Sequence, residues 1–164
     1  MPSIKLDKQE VQKHAKVKLS DENLASELAR LGSDVDEITT KEIDIEIFPD
    51  RPDLLSEPGL GRALRNFLGK SKHPHEYTTK PPLKNYDVFV QESVKKVRPY
   101  TACCIVKNLK LDATTIQTII KIQEKLHVTH CRNRKRAAIG VYPLEAIQLP
   151  ITYEARKPED ITFR

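Results

Sequence analysis

Between Glu42 and Ile47 the chain alternates without exception, with Ile43, Ile45 and Ile47 set against Glu42, Asp44 and Glu46. A period of two is the signature of a strand, so the spacing predicts β structure from Val35 to Phe48 with one apolar and one acidic face. Ile4 and Leu6 alternate in the same way and predict a short strand over 3–6. The remaining apolar residues of the first seventy recur at helical spacing. Val11 and Ala15 form one pair, Leu24, Leu28 and Leu31 a second stripe, and Leu60, Leu64, Phe67 and Leu68 a third. Each stripe carries end signals. Asp7 with Glu10 has the form of a capping box before a helix from Lys8 to about Lys16. Ser20 caps the second helix and Gly32 stops it, while Ser56 caps the third, with Pro58 in its first turn and Gly69 beyond its end.

Ahead of that third helix stands Phe48-Pro49-Asp50-Arg51-Pro52-Asp53. Proline fixes its own φ and disfavours the α region for the residue before it, so 48–53 is expected to be an extended elbow. Its structural residues are Arg51, Pro52, Asp53 and, past the cap, Gly59. Asp50 and Asp53 suit capping of backbone amides and pairing with Arg51 better than acid–base work. Arg51 has two readings, an anchor to a carboxylate on the neighbouring strand or a contact to a partner; its planar fork favours the anchor.

The stretch KSKHPHEYTTKPPLKN is polar, has paired prolines at 81 and 82, and lacks periodicity. It reads as a connector over 71–85 between a helix-strand-helix module at 1–70 and a second portion at 86–164. In that second portion Tyr86 to Val90 predicts a strand, as does Ile151 to Ala155. Thr101–Val106 and Ala137–Tyr142 are apolar on both faces, which suits the interior of a sheet. Asp112 can cap a helix from Ala113 to about His127 with Ile116, Ile119, Ile120 and Leu126 on its buried side. The fold class is therefore α+β: a small helix-rich module followed by a mixed sheet backed by a helix.

Composition changes this picture little. Of 164 residues 38% are apolar and 31% charged, ordinary for a globular chain. No apolar run reaches the roughly 20 residues needed to cross a bilayer. The polar start MPSIKLDKQE has no hydrophobic signal region, so a cytoplasmic address is expected. A formal charge of +5 permits nucleic acid without requiring it. The charge is concentrated at Arg132, Arg134, Lys135 and Arg136, with Lys121 and Lys125 upstream, a run suited to phosphates. The alternatives are a solvated turn or a bridge to a partner subunit. Aromatic residues are only 5% of the chain and none interrupts the run, so no stacking platform for single-stranded RNA is expected.

His127, His130, Cys131, Cys103 and Cys104 lack the two-knuckle spacing of a zinc site, so no metal is assigned. The three cysteines are expected to be reduced and mostly buried, and the histidine to end a helix. No G-x-S-x-G elbow, Cys–His nucleophile or phosphate-cradling glycine loop occurs.

Several motifs occur in one order along nearly the whole chain. Asp50-Arg51-Pro52-Asp53-Leu54-Leu55 precedes Ser56-Glu57-Pro58-Gly59-Leu60-Gly61-Arg62-Ala63-Leu64. Val97-Arg98-Pro99-Tyr100, Ile122-Gln123-Glu124-Lys125-Leu126-His127, Cys131-Arg132-Asn133-Arg134-Lys135-Arg136 and Ala138-Ile139-Gly140-Val141 follow. Together they resemble the N-terminal portion of the beta subunit of phenylalanyl-tRNA synthetase, in its archaeal and eukaryotic form. Three features depart from that pattern: Pro58 beside the glycine, Gly61 where alanine is expected, and Tyr142-Pro143-Leu144-Glu145 where the family continues H-D-L-D.

The resemblance implies a non-catalytic part of a phenylalanine–tRNA ligase, an assembly supporting protein synthesis. Its alpha subunit would hold the aminoacylation site with ATP and magnesium, and tRNA would be a further partner. The 86–164 portion would begin an editing-type domain whose pocket-lining part lies C-terminal to Arg164. No catalytic residue is therefore expected in this chain, which alone should neither charge nor edit tRNA. The other function open at this point is a free-standing RNA-binding or interaction module derived from that subunit. If the chain is a fragment, an unpaired sheet edge in its second half and a tendency to associate are also expected.

Overall fold

A computed structural model of the chain describes residues 3–71, 76–83 and 85–163. Part of the connector, 72–75 and 84, lies outside the described residues, as do 1–2 and 164. The fold is α+β and divides into two compact units, Met1–His75 with Leu111–Ile139, and Glu76–Lys110 with Gly140–Arg164.

In the first unit, β1 (Ser3–Asp7), β2 (Asp34–Ile38) and β3 (Glu42–Glu46) form an antiparallel sheet in the order β1-β3-β2. Ile45 faces Ile4 and Ile43 faces Leu6 across the ladder, which sets the apolar faces of both strands together. Ile43, Ile45 and Ile47 are buried. Where one continuous strand was expected over 35–48, the chain turns back at 39–41 into a hairpin. The Thr39 hydroxyl accepts the amides of Lys41 at 3.3 Å and Glu42 at 2.9 Å and stabilises the reversal. Thr-Thr-Lys holds none of the Gly, Pro or Asn residues that mark a turn, so the break is silent in the pattern.

Helices α1 (Lys8–Ala15), α2 (Asp21–Arg30) and α3 (Glu57–Phe67) are each capped as expected, with Asp7, Ser20 and Ser56 accepting from the amides of Glu10, Asn23 and Gly59. The box at Asp7 is half formed. The Glu10 carboxylate turns to Lys13, and the Asp7 amide donates instead to Glu57 Oε1 on α3 at 3.3 Å. Leu24, Leu28, Leu60 and Leu64 fill the space between helices and sheet. Burying each is worth roughly 1.5–3 kcal/mol.

Gly61 explains how α1 and α3 meet. A Cβ built there would lie 2.5 Å from His14 Cβ and 2.7 Å from Val11 O, so only a residue without a side chain permits the crossing. The intrinsic cost of a helical glycine, about 1 kcal/mol, is offset by this close approach. Phe67 departs from the expected stripe: it is exposed, and Arg30 lies 5.5 Å from its ring centroid.

Helix α4 (Ala113–Val128) begins at the Asp112 cap. Ile116 and Ile120, expected on its buried side, are exposed, and burial concentrates at His127 in its last turn and at Cys131 just beyond it. The elbow also differs from expectation. Arg51 N–H donates to Phe48 O in a turn and Pro52–Leu54 is a 3-10 helix, because proline's fixed φ suits a first helical turn as well as an extended one.

In the second unit β4 (Val88–Val90) pairs in parallel with β5 (Ile151–Tyr153). The Gln91 amide extends the ladder to Tyr153 O, and the Ser93 hydroxyl accepts the Ala155 amide at 3.0 Å. Thr101–Val106 and Ala137–Tyr142 are not strands, and Val106 and Val141 are exposed. Segments apolar on both faces form ladders only when both faces are covered, and neither segment has such cover among the described residues. Cys103 and Cys104 are likewise exposed, against expectation, and only Cys131 is buried.

Candidate nucleic-acid interface

Helix α4 delivers the chain into the basic turn, whose backbone is unusual. Arg132, Asn133 and Arg134 have φ of 50°, 54° and 63°, three consecutive non-glycine residues in the left-handed region. That conformation costs roughly 1–2 kcal/mol per residue, so the surroundings must hold it.

They do so through a lattice of backbone bonds. Cys131 N–H donates to Leu126 O at 2.9 Å, Arg132 N–H to Thr129 O at 3.0 Å, Arg134 N–H to His127 O at 3.2 Å, and Arg136 N–H to Cys131 O at 2.9 Å. The Cys131 side chain is buried beneath the turn.

His127 is the second restraint. Its ring is 2% exposed, and Nε2 accepts the Ile139 amide at 2.8 Å. An acceptor Nε2 places the ring proton on Nδ1, which faces Glu124 Oε1 at 3.4 Å. The same carboxylate oxygen accepts from Arg134 Nη2, and this bond, then His127, holds the Glu124 carboxyl below its usual range. Glu124 thus ties helix and turn together. Neither Glu124 nor His127 was assigned a site role from sequence; their i,i+3 spacing ahead of a basic run was the available signal.

At the elbow, Arg51 Nε and Nη2 donate to the two carboxylate oxygens of Asp53, each at 3.0 Å. The carboxylate that Arg51 grips lies two residues along the chain, where one on the neighbouring strand was expected. Asp53 is held below the usual carboxylate range first by this bond, with Arg62 Nη2 a further 3.8 Å contact. Gly59 lets α3 start against the elbow, since a Cβ there would fall 1.9 Å from Asp53 O.

Elbow and basic turn, about eighty residues apart in sequence, line one groove of about 690 Å³. Phe48, Asp50 and Pro52 stand on one side, and His130, Arg132 and Arg136 on the other, with the buried Ile47 and Leu55 behind them. Arg132, Lys135 and Arg136 are exposed, whereas Arg134 is engaged with Glu124. Arg134 and Lys135 do not line the groove. The surface offers the cations of Arg132 and Arg136, the carboxylates of Asp50 and Asp53, and the Phe48 ring. Among the described residues no group of three or more His, Cys, Asp or Glu side chains is placed to hold a metal ion. No described helix is long and apolar enough to cross a membrane.

No protein-family model matches the chain. It is 36% identical over 137 residues to the phenylalanine–tRNA ligase beta subunit of Methanosarcina acetivorans, covering 84% of this chain and 25% of that one. The Archaeoglobus fulgidus beta subunit is 38% identical over 134 residues, 82% of this chain and 24% of its own. The Methanosphaera stadtmanae beta subunit is 33% identical over 163 residues, covering 99% and 29%. The chain therefore spans about a quarter of the length of the curated relatives it matches. Among solved structures, an N-terminal fragment of the phenylalanyl-tRNA synthetase beta subunit from Pyrococcus horikoshii superposes with a TM-score of 0.79 at 29% identity, covering 94% of this chain and 45% of that one. Sequence and fold agree that the chain belongs to the phenylalanine–tRNA ligase beta-subunit family and corresponds to its N-terminal portion.

Proposed function

We propose that this chain serves a cytoplasmic phenylalanine–tRNA ligase as a non-catalytic part of its beta subunit, supporting charging of tRNA by an alpha subunit. It carries no aminoacylation chemistry of its own. In this reading ATP and magnesium belong to the alpha subunit. The division into a 1–70 module, a 71–85 connector and an 86–164 editing-type portion belongs to the same proposal.

Within that role the basic turn contacts tRNA phosphates. The observation that carries this is the run of three left-handed residues, which presents Arg132 and Arg136 on a backbone ordered before any ligand arrives. Ordering is a large part of what association costs, so a preset cationic turn binds better than a flexible one. The test is filter binding of tRNA to the full chain across a salt series. Binding should fall steeply with salt, and changing Arg132, Arg134, Lys135 and Arg136 together to Gln should abolish it. Salt-independent binding, or binding untouched by the fourfold change, would refute the assignment.

A further inference from the structure

The crossing of α1 and α3 through Gly61 also gathers charge. His14 projects from α1, and Arg62 and Arg65 from successive turns of α3. With Pro58, Asn66 and Ser71 they line a concavity of about 210 Å³.

The acids nearby are already engaged. Glu10 stands 3.8 Å from His14 but holds the Lys13 ammonium at 2.9 and 3.1 Å. Asp53 stands 3.8 Å from Arg62 but is bidentate to Arg51. No carboxylate among the described residues pairs with Arg65, and its Nε is buried without an acceptor. A buried guanidinium nitrogen without an acceptor is rare in a folded protein and calls for one.

We propose that His14, Arg62 and Arg65, with the Asn66 amide, form a binding site for a phosphate group. Several oxygens on one anion can accept from two guanidinium groups and a ring nitrogen that converge from different helices, which a single carboxylate does less well. The site is independent of the basic turn and shares no residue with it. Its phosphate could come from an RNA backbone or from a small phosphorylated molecule.

The test follows the arginine Nε–H and histidine ring resonances of the full chain by NMR while inorganic phosphate is added. Saturable shifts at Arg65, Arg62 and His14 are expected, weakened about tenfold in Arg62→Gln and in Arg65→Gln. Arg62 is exposed, so its variant keeps the fold even if the Arg65 variant does not. Shifts that never saturate, or that persist unchanged in Arg62→Gln, overturn the site. A second titration with tRNA assigns the source: loss of tRNA affinity in Arg62→Gln marks an RNA phosphate, and unchanged tRNA binding beside lost phosphate binding marks a small ligand. The Arg132/Arg136 variant should leave the phosphate shifts intact, so failure of the basic turn as an RNA contact would not be mistaken for failure here.

Discussion

His127 Nε2 accepts the amide of Ile139 at 2.8 Å, twelve residues further along the chain and past the whole basic turn. One buried ring thus closes the loop that presents Arg132 to Arg136. Replacing it with alanine leaves a part-buried amide without an acceptor and a space where a buried ring stood. His127→Ala should lower stability by about 1–3 kcal/mol, measured by thermal unfolding. Amide exchange at 132–136 should accelerate more than in the first half of α4. Uniform acceleration throughout would deny the ring its local role.

Gly61→Ala sets two principles against each other. On an open helix the change would stabilise by about 1 kcal/mol. Here the new Cβ would meet His14 Cβ at 2.5 Å, so a loss of about 1–3 kcal/mol is expected from overpacking. Gly59→Ala, 1.9 Å from a carbonyl oxygen that cannot swing aside, should cost more. Chemical denaturation of both variants checks the order.

Acid should loosen the elbow and the basic turn first. Asp53 and Glu124 are both held below the usual carboxylate range, by Arg51 and by Arg134 respectively. A depressed folded-state pKa contributes stability that is present above the unfolded value, about 4, and is lost as pH falls through the folded value. Stability should therefore be flat above about pH 5 with respect to these groups and decline below pH 4. Asp53→Asn should flatten part of that decline. A variant whose acid limb coincides with that of the parent would remove Asp53 from the account.

The four basic residues should not act alike. Arg132→Gln, Lys135→Gln and Arg136→Gln should each lower the salt slope of tRNA binding by about 1. Arg134→Gln removes the partner of Glu124, so its effect should include faster amide exchange in the turn. Four equal slopes with unchanged exchange would argue against that division of labour.

These expectations draw on what the residue pattern could and could not reveal. Asp7, Ser20, Ser56 and Asp112 were legible as caps because capping is chemistry between residues three apart. The hairpin at Thr39 was not, since a threonine hydroxyl stands where a turn residue is usual. Thr101–Val106 and Ala137–Tyr142 carried strand composition, but strand formation depends on cover that no local pattern specifies. The groove between Phe48 and Arg136 was beyond reach for a related reason: its two walls are about eighty residues apart in sequence, and periodicity contains no information about how they pack.

The buried thiol at Cys131 gives the left-handed turn an internal clock. Cys103 and Cys104 lie open to solvent, while Cys131 is 2% exposed beneath Arg132. A thiol reagent should consume two equivalents at once and the third only as fast as the turn opens. The slow phase then times the opening of the turn itself, and tRNA seated on the arginines should lengthen it.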